Sequence, residues 1–282
     1  MKKDKGHTMA FNGEKIAFIG AGVMGEAMIK GVLSQKLVKP EQIIAADPHE
    51  VRLKELTTRY GIKHTTRNAD AVKDAEILVL SVKPQVMDKV LPELRGRVDS
   101  VRLIVSIAAG VTLKHISSSL LNARVVRSMP NTPGQIGQGI TVWVATTDVA
   151  NEQAKQAELL LGALGEQIRI DDERYLDMAT ALSGSGPAYV FMFMEAMIDA
   201  GVHMGFSRRD AEKLVTQTLL GSVLYAKNSG LHPAQLRNQV TSPGGTTAAA
   251  LHQMEKGGLR TVLSEGIWAA YERSKALGSD DS

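Results

Sequence analysis

A glycine-rich stretch that directly follows a short apolar run constrains this sequence more than any other feature. Residues 15–25 read KIAFIGAGVMG, so a β-like segment opens into G-x-G-x-x-G, and a helix-compatible segment follows. In such a unit Gly20 permits the tight turn, Gly22 lets the backbone approach a pyrophosphate, and Gly25 lets the helix pack close to the strand. The unpaired N–H groups at the helix start also favour an anion. The stretch therefore predicts a dinucleotide site.

An acidic residue lies at the distance along the chain that such a site requires. A second β-like run, residues 42–47, ends at Asp47, and the expected acid lies about 20 residues beyond the glycines. A carboxylate there accepts a hydrogen bond from a ribose 2′-hydroxyl and repels a 2′-phosphate. The alternative is a glycine-rich turn in another kind of α/β protein, but the agreement of strand, turn, helix and acid favours the nucleotide site.

Composition excludes several other classes of protein. The net charge of +3 is too small and dispersed to indicate a nucleic-acid partner. The absence of cysteine excludes disulfides, thiolate metal sites and a thiol nucleophile, and it is compatible with a reducing cytoplasm. The seven histidines have no metal-ligand spacing, so we predict no metal. No apolar run is long enough for a membrane span, and the Lys-rich leader lacks the hydrophobic stretch of a secretory signal.

The two halves of the sequence have different periodicities. From residue 15 to about residue 170, short β-like runs alternate with helical patterns, which predicts parallel strands joined by crossover helices. We therefore predict an α/β fold with a disordered leader (1–14), a Rossmann-type dinucleotide-binding domain (15–171) and an all-α C-terminal domain (172–282). The predicted strands are 16–19, 43–46, 77–82, 103–107, 125–129, 141–145 and 167–170, and the predicted helices of this half are 24–35, 50–60, 85–94, 113–121 and 152–164.

The C-terminal half contains a clear helix start and a methionine-rich stripe. Ser207 and Asp210 form the pattern of a capping box and predict a helix that runs to about Asn228. The stripe comprises Met192, Met194, Met197 and Met204. We interpret it as core or subunit interface, because methionine commonly fills irregular apolar contacts, although a ligand surface is the alternative.

Polar clusters lie where predicted strands end or predicted helices begin. The first is S-V-K-P at 81–84, and the second is M-P-N-T-P-G at 129–134. A third, T-S-P-G-G-T-T at 241–247, precedes a helical run and would present free N–H groups and hydroxyls suited to a carboxylate. A related helix start, S-G-S-G-P at 183–187, places proline in the first turn. Ordinary turns and helix caps are the alternative interpretation of each cluster.

Together these motifs resemble the pyrroline-5-carboxylate reductase family over residues 15–277. The resemblance implies reduction of the C=N bond of 1-pyrroline-5-carboxylate to L-proline with NADPH or NADH, the last step of proline biosynthesis, in the cytoplasm. It also implies a homodimer formed by interleaved helical domains, often assembled into larger rings. A protonated iminium is electrophilic enough that this reaction needs no metal.

The resemblance further implies roles for individual residues. Thr247 would be catalytic, with its hydroxyl hydrogen-bonded to the ring nitrogen, while Ser242 would support the loop whose amides hold the carboxylate. The implied substrate-binding residues are Ser242, Gly244, Gly245, Thr246, Thr247 and, as a weaker candidate, Ser185. The implied cofactor-binding residues are Gly20, Gly22, Val23, Met24, Gly25, Asp47, Asn68, Val82, Lys83, Pro84, Pro130 and Asn131.

Asp47 departs from the family pattern, because many members carry Ser, Thr or Asn after the second strand and prefer NADPH. His49 and Arg52 lie close enough in sequence to offset the acid. We therefore predict use of both cofactors and leave the preference open.

Two rival functions remain. A β-hydroxyacid dehydrogenase would handle an alcohol proton with a lysine near an asparagine on a helix of the second domain, and neither Lys213 nor Lys227 sits in such a motif. A non-catalytic nucleotide sensor would not need the carboxylate cradle at residues 242–247.

Overall fold

The computed structural model describes residues 11–279, which form two compact units. The first unit contains the chain up to Ser185 together with the segment from Ala270 onward, and the second runs from Gly186 to Ala269. The predicted domain boundary near residue 171 stays a prediction. The predicted disordered leader, residues 1–14, lies mostly outside the described residues and also stays a prediction. Of its last residues, Phe11 is 5% exposed and packs in the core.

The first unit is built on one eight-stranded sheet in the order β3-β2-β1-β4-β5-β6-β7-β8. Its strands are β1 (Ile16–Ile19), β2 (Ile43–Ala46), β3 (Lys63–Thr65), β4 (Ile77–Leu80), β5 (Leu103–Ser106), β6 (Val125–Met129), β7 (Gly139–Ala145) and β8 (Gly165–Arg169). Neighbouring strands are parallel except β6 and β7. The predicted Rossmann-type sheet is confirmed.

The antiparallel pair and the short strand β3 differ from the sequence prediction. Only residues 130–138 connect β6 to β7, and a parallel return needs about a dozen residues or more. The chain therefore reverses, and β7 runs against β6. β3 was missed because its Lys63 and His64 are polar and exposed, so the strand carries no apolar signal.

Helices pack their apolar faces against both faces of the sheet. Along β1, Ile16 and Phe18 belong to one buried cluster, while Ala17 and Ile19 belong to the other. The helices of this unit are α1 (Val23–Ser34), α2 (Glu50–Tyr60), α3 (Asn68–Val72), α4 (Met87–Leu94), α5 (Leu113–Leu120), α6 (Asn151–Gly162) and α7 (Tyr175–Ala179). The predicted helix at 85–94 is a 3-10 turn, Pro84–Val86, followed by α4, because proline at its start favours the tighter turn.

The second unit is entirely helical, as predicted. Its helices are α8 (Gly186–His203), α9 (Arg208–Ser229), α10 (Pro233–Gln239), α11 (Thr246–Lys256) and α12 (Leu259–Ser279), the last of which ends within the first unit. The predicted cap of α9 is confirmed, because Ser207 Oγ accepts a hydrogen bond of 3.1 Å from the N–H of Asp210. None of the described helices combines the length and the apolar character that crossing a bilayer requires.

A matched pair of glycine substitutions tests the packing of α1 against the end of α6. A Cβ at Gly31 would lie 2.5 Å from the carbonyl oxygen of Ala163, whereas a Cβ at Gly162 would meet no atom within 4 Å. We expect Gly31→Ala to lower the free energy of unfolding by about 1–3 kcal/mol through overpacking. Gly162→Ala should leave it unchanged or raise it by up to about 1 kcal/mol. Urea unfolding at equal protein concentration measures both values, and equal losses would contradict the packing argument.

Candidate dinucleotide and substrate site

The glycine-rich loop lies between the carboxyl ends of β1 and β4, which are neighbours in the sheet. Gly20 has a φ of +101°, and a Cβ there would lie 2.7 Å from the carbonyl oxygen of Ser81. A Cβ at Gly25 would lie 2.5 Å from the carbonyl oxygen of Gly20. Both positions therefore need glycine, for the turn and for the close approach of helix and strand that the sequence predicted.

The start of α1 fits a pyrophosphate. Gly22 is the N-cap residue, and among residues 11–279 no side chain caps this helix end. A Cβ at Gly22 would meet no atom within 4 Å, so the backbone can be approached closely. The first-turn N–H groups, which include those of Val23 and Met24, are thus available to an anion.

Asp47 is held beside this loop by three hydrogen bonds. Its Oδ2 accepts from the N–H of Ala21 at 2.9 Å, and its Oδ1 accepts from the N–H of His49 at 3.0 Å and contacts the His49 ring at 2.8 Å. Burial alone would raise the pKa of Asp47, but these hydrogen bonds outweigh it and hold that pKa below its ordinary value. An anionic carboxylate here fits a ribose hydroxyl.

Arg52 approaches the same loop residue from α2. Its Nε donates to the carbonyl oxygen of Ala21 at 3.0 Å, and its Nη2 makes a close ion pair with Glu26. The sequence predicted that Arg52 lies close enough to offset Asp47. It did not reveal Glu26 as the partner of Arg52, because a glutamate in the first turn of a helix is ordinarily explained by the helix dipole.

The remaining predicted cofactor residues follow three different strands. Val82, Lys83 and Pro84 come after β4, just beyond Ser81, whose Oγ donates to the carbonyl oxygen of Gly20 at 2.7 Å. Asn68 begins α3, and its side chain donates to Glu93 at 2.8 Å. The prediction that these residues line the cofactor stays a prediction. Ser81 supports the loop and was left out of the predicted site.

Asn131 connects three segments at the end of β6. Its Nδ2 donates to the carbonyl oxygen of Ser183 at 3.2 Å, and its Oδ1 accepts from the N–H of Ile140 at 3.0 Å. Since both ends of the amide are used within the protein, Asn131 orders the loop that begins at Pro130.

The segment at 183–187 contains the predicted helix start, with Pro187 in the first turn of α8, but this start is not open. Residues Thr180–Gly184 form a π-helical turn that continues from α7, and the N–H of Ser185 donates to the carbonyl oxygen of Thr180 at 2.8 Å. The amide of Ser185 is therefore not free for a ligand. A Cβ at Gly184 would lie 2.7 Å from Cε of Met129, at the end of a flexible side chain.

A cavity of about 470 Å³ brings two of the predicted residues together within the first unit. Pro84 from the predicted cofactor set and Ser185 from the predicted substrate set both line it. Ala109, Gly110, His115 and Arg273 also line it, and His115 pairs with Asp88 at 3.2 Å. Sequence reasoning missed Arg273, because an arginine near the end of a long helix carries no motif.

The predicted carboxylate cradle lies in the second unit, where α11 begins. Gly244 has a φ of +69°, and a Cβ at Gly245 would lie 2.3 Å from Oγ of Ser242. Gly245 is the N-cap residue and has no side chain to accept from the first amides of α11, which include those of Thr246 and Thr247. The N–H of Gly245 donates to the carbonyl oxygen of Ser242 at 3.1 Å, so it is not available to a carboxylate, whereas the first amides of α11 are open to an anion. The implied substrate roles of Ser242, Gly244, Thr246 and Thr247 stay predictions.

Comparisons with known proteins agree with this geometry. A family model described as NADP oxidoreductase coenzyme F420-dependent matches residues 15–110, and one described as pyrroline-5-carboxylate reductase dimerisation matches residues 173–277. The chain is thus a dinucleotide-dependent oxidoreductase with a helical domain of a self-associating type.

Similarity over nearly the whole chain makes the family specific. A pyrroline-5-carboxylate reductase from Synechocystis sp. is 40% identical over 94% of this chain and 98% of that protein. Solved structures include a pyrroline-5-carboxylate reductase from Coxiella burnetii (35% identity, TM-score 0.88, 94% and 99% of the two chains). Another, from Plasmodium falciparum with NADP bound, is 32% identical with a TM-score of 0.85 over 94% and 98% of the two chains. The chain belongs to the pyrroline-5-carboxylate reductase family.

Proposed function

We propose that this protein reduces 1-pyrroline-5-carboxylate to L-proline with NADPH or NADH, and that the residues described above bind the cofactor and the substrate. Family membership supports the reaction. The observation that carries the site is the cavity of about 470 Å³ that Pro84 and Ser185 share, because a proposed cofactor residue and a proposed substrate residue line one space.

The reaction needs a hydride at the imine carbon and a proton on the ring nitrogen. Reduced nicotinamide supplies the hydride when the cofactor is bound. The substrate is already electrophilic as an iminium, so the task of the protein is mainly to hold it in position. Fixed near-attack geometry is worth about 7–11 kcal/mol in model reactions.

In the proposal, the main substrate roles belong to the second unit and the cofactor roles to the first. The amides of Thr246 and Thr247 bind the substrate carboxylate, and Ser242 keeps the turn at Gly244 in shape by accepting a hydrogen bond of 3.1 Å from the N–H of Gly245 at its carbonyl oxygen. The Thr247 hydroxyl hydrogen-bonds the ring nitrogen. In the first unit, the residues that hold the pyrophosphate are Gly20, Gly22, Val23, Met24 and Gly25, and Asp47 and Asn68 border the adenosine. Pro130 and Asn131 border the nicotinamide, and Val82, Lys83 and Pro84 line the cofactor.

An assay of two substrates, each with its coenzyme, separates the proposed reductase from the two rival functions. We expect 1-pyrroline-5-carboxylate to cause rapid loss of NAD(P)H absorbance and small 3-hydroxy acids to cause no reduction of NAD(P)⁺. Oxidation of a 3-hydroxy acid without reaction of the imine would identify a β-hydroxyacid dehydrogenase. Cofactor binding without turnover of either would identify a sensor.

Substitution of Thr247 tests the proposed contact with the ring nitrogen. A hydrogen bond to a charged group is worth about 1.5–3 kcal/mol, so Thr247→Ala should lower kcat/KM for the imine by about 10- to 100-fold. Thr247→Ser keeps the hydroxyl and should retain most of the activity, and the cofactor Kd should change little in either variant. An unchanged kcat/KM in Thr247→Ala would remove this residue from the mechanism.

We also propose that the second unit forms a homodimer, which can assemble further. The match to the dimerisation family supports self-association. Between Gly186 and Ala269, all of them described, the only buried residues are Gly201, Ala211 and Val215. Large apolar side chains are exposed instead, including Phe191 at 60% and Met192 at 64%. A surface of this kind is typical of a protein–protein interface, as we interpreted the methionine stripe.

A charge placed on this surface should weaken the assembly. We expect Phe191→Glu to shift the sedimentation coefficient toward that of a monomer at low micromolar concentration, because burying an unpaired carboxylate is costly. Val51→Glu is the matched control, since Val51 is 75% exposed on α2 of the first unit. An undiminished oligomer in Phe191→Glu would argue against this face as the interface.

The family resemblance also supports a cytoplasmic location, which we propose for this protein. Cell fractionation against a cytoplasmic marker enzyme would test it.

A further inference from the structure

We propose that Glu26 sets the cofactor preference of this protein in favour of NADH, by keeping Arg52 paired and away from a 2′-phosphate. The inference rests on the proposed function in one respect, which is that the protein binds NAD(H) or NADP(H) as its cofactor. It is carried by the contacts that surround Ala21, the middle residue of the first G-x-G.

Both polar backbone atoms of Ala21 are held by side chains from the ribose end of the site. Its N–H donates to Asp47 Oδ2 at 2.9 Å, and its carbonyl oxygen accepts from Arg52 Nε at 3.0 Å. Asp47 and Arg52 therefore meet at one residue of the loop. A phosphate on the ribose 2′-oxygen would meet both side chains, one that repels it and one that would attract it if it were free.

Three of the five N–H groups of Arg52 are already engaged, one on each guanidinium nitrogen. Nε donates to Ala21, Nη1 donates to Glu55 at 3.3 Å, and Nη2 pairs closely with Glu26. The two carboxylates compensate the positive charge. The hydrogen bond with Glu26 raises the pKa of Arg52 above its ordinary value.

Glu26 is anchored from the other side as well. Its Oε1 accepts from the hydroxyl of Tyr60 at 2.8 Å and pairs closely with Arg59, and its side chain is only 16% exposed. Burial alone would raise the pKa of Glu26, but the hydrogen bonds and charges of Arg52, Tyr60 and Arg59 outweigh it and lower that pKa. Glu26 therefore stays charged near neutral pH and remains a permanent competitor for Arg52.

A 2′-phosphate would have to break this arrangement. A phosphate monoester carries about −1.5 to −2 charges near neutral pH, and it would face the carboxylate of Asp47. His49 also turns toward Asp47, through its ring and its backbone N–H. A ribose hydroxyl, in contrast, donates to Asp47 and leaves the Glu26–Arg52 pair intact.

Isothermal titration of the full-length protein with NAD⁺ and NADP⁺, without substrate, tests the proposal directly. We expect the wild type to bind NAD⁺ more tightly. Glu26→Gln should shift the ratio of the two Kd values toward NADP⁺ by about tenfold, which corresponds to about 1.4 kcal/mol. The double variant E26Q/R52Q should lose that shift, because the released arginine produces it. Glu55→Gln is the matched control and should shift the ratio by less than about twofold, since Glu55 is exposed and its contact is longer.

Two further variants keep the test decisive if Glu26→Gln is poorly folded, which thermal unfolding reveals. Arg52→Gln should weaken both coenzymes alike through the loss of the Ala21 contact and leave their ratio unchanged. Asp47→Ser should shift the ratio toward NADP⁺ without any change at Glu26. The proposal is overturned by tighter wild-type binding of NADP⁺, by a selective loss of NADP⁺ in Arg52→Gln, or by a Glu26→Gln shift that persists in the double variant. Turnover of the imine is measured separately, so failure of the reductase assay would leave these binding ratios interpretable.

Discussion

The close approach of Gly20 to Ser81 is the contact on which the cofactor half of the site depends. β1 and β4 are adjacent, and the chain leaves them in opposite directions, so their two loops diverge at the carboxyl edge and leave room for a ligand. With a Cβ at Gly20 the backbone of Ser81 would be displaced. The Ser81 hydroxyl donates to the Gly20 carbonyl oxygen and fixes the two loops to each other. The orientation of α1 and its free amides follows from this contact.

The π-helical turn has a comparable role at the other end of the site. Between α7 and α8 the π-helical turn has wider hydrogen-bond spacing than an α-helix. Such turns are frequent at functional sites. Two hydroxyls stabilise it, because Thr180 Oγ1 donates to the Leu176 carbonyl oxygen at 2.7 Å and Ser183 Oγ donates to that of Ala179 at 2.9 Å. Asn131 then holds the turn from the sheet side. The result is that Ser185 lines the same cavity as Pro84.

The sequence predicted well where one local signal determines the structure. Apolar runs located the central strands, and Ser207 located the start of α9, because burial and capping act over a few residues. The sequence predicted poorly where the local structure depends on residues that are distant in the chain. The direction of β7 depends on how short its connection is, and the π-helical turn depends on Asn131 and Met129, which are more than 50 residues away in the chain. The Glu26–Arg52 pair could not be predicted from the sequence either, because the two residues lie on different helices, α1 and α2, and no motif links them.

The composition of the second unit gives a physical reason for its self-association. A compact domain is stabilised chiefly by the apolar surface that it buries, and small domains have little to spare. Of Gly186–Ala269 only Gly201, Ala211 and Val215 are buried, while Phe191, Met192 and other large apolar residues are exposed. The match to the dimerisation family indicates that self-association covers this apolar surface. In the homodimer proposed above, folding of the unit and association would be linked, and the stability of the α11 loop would depend on protein concentration.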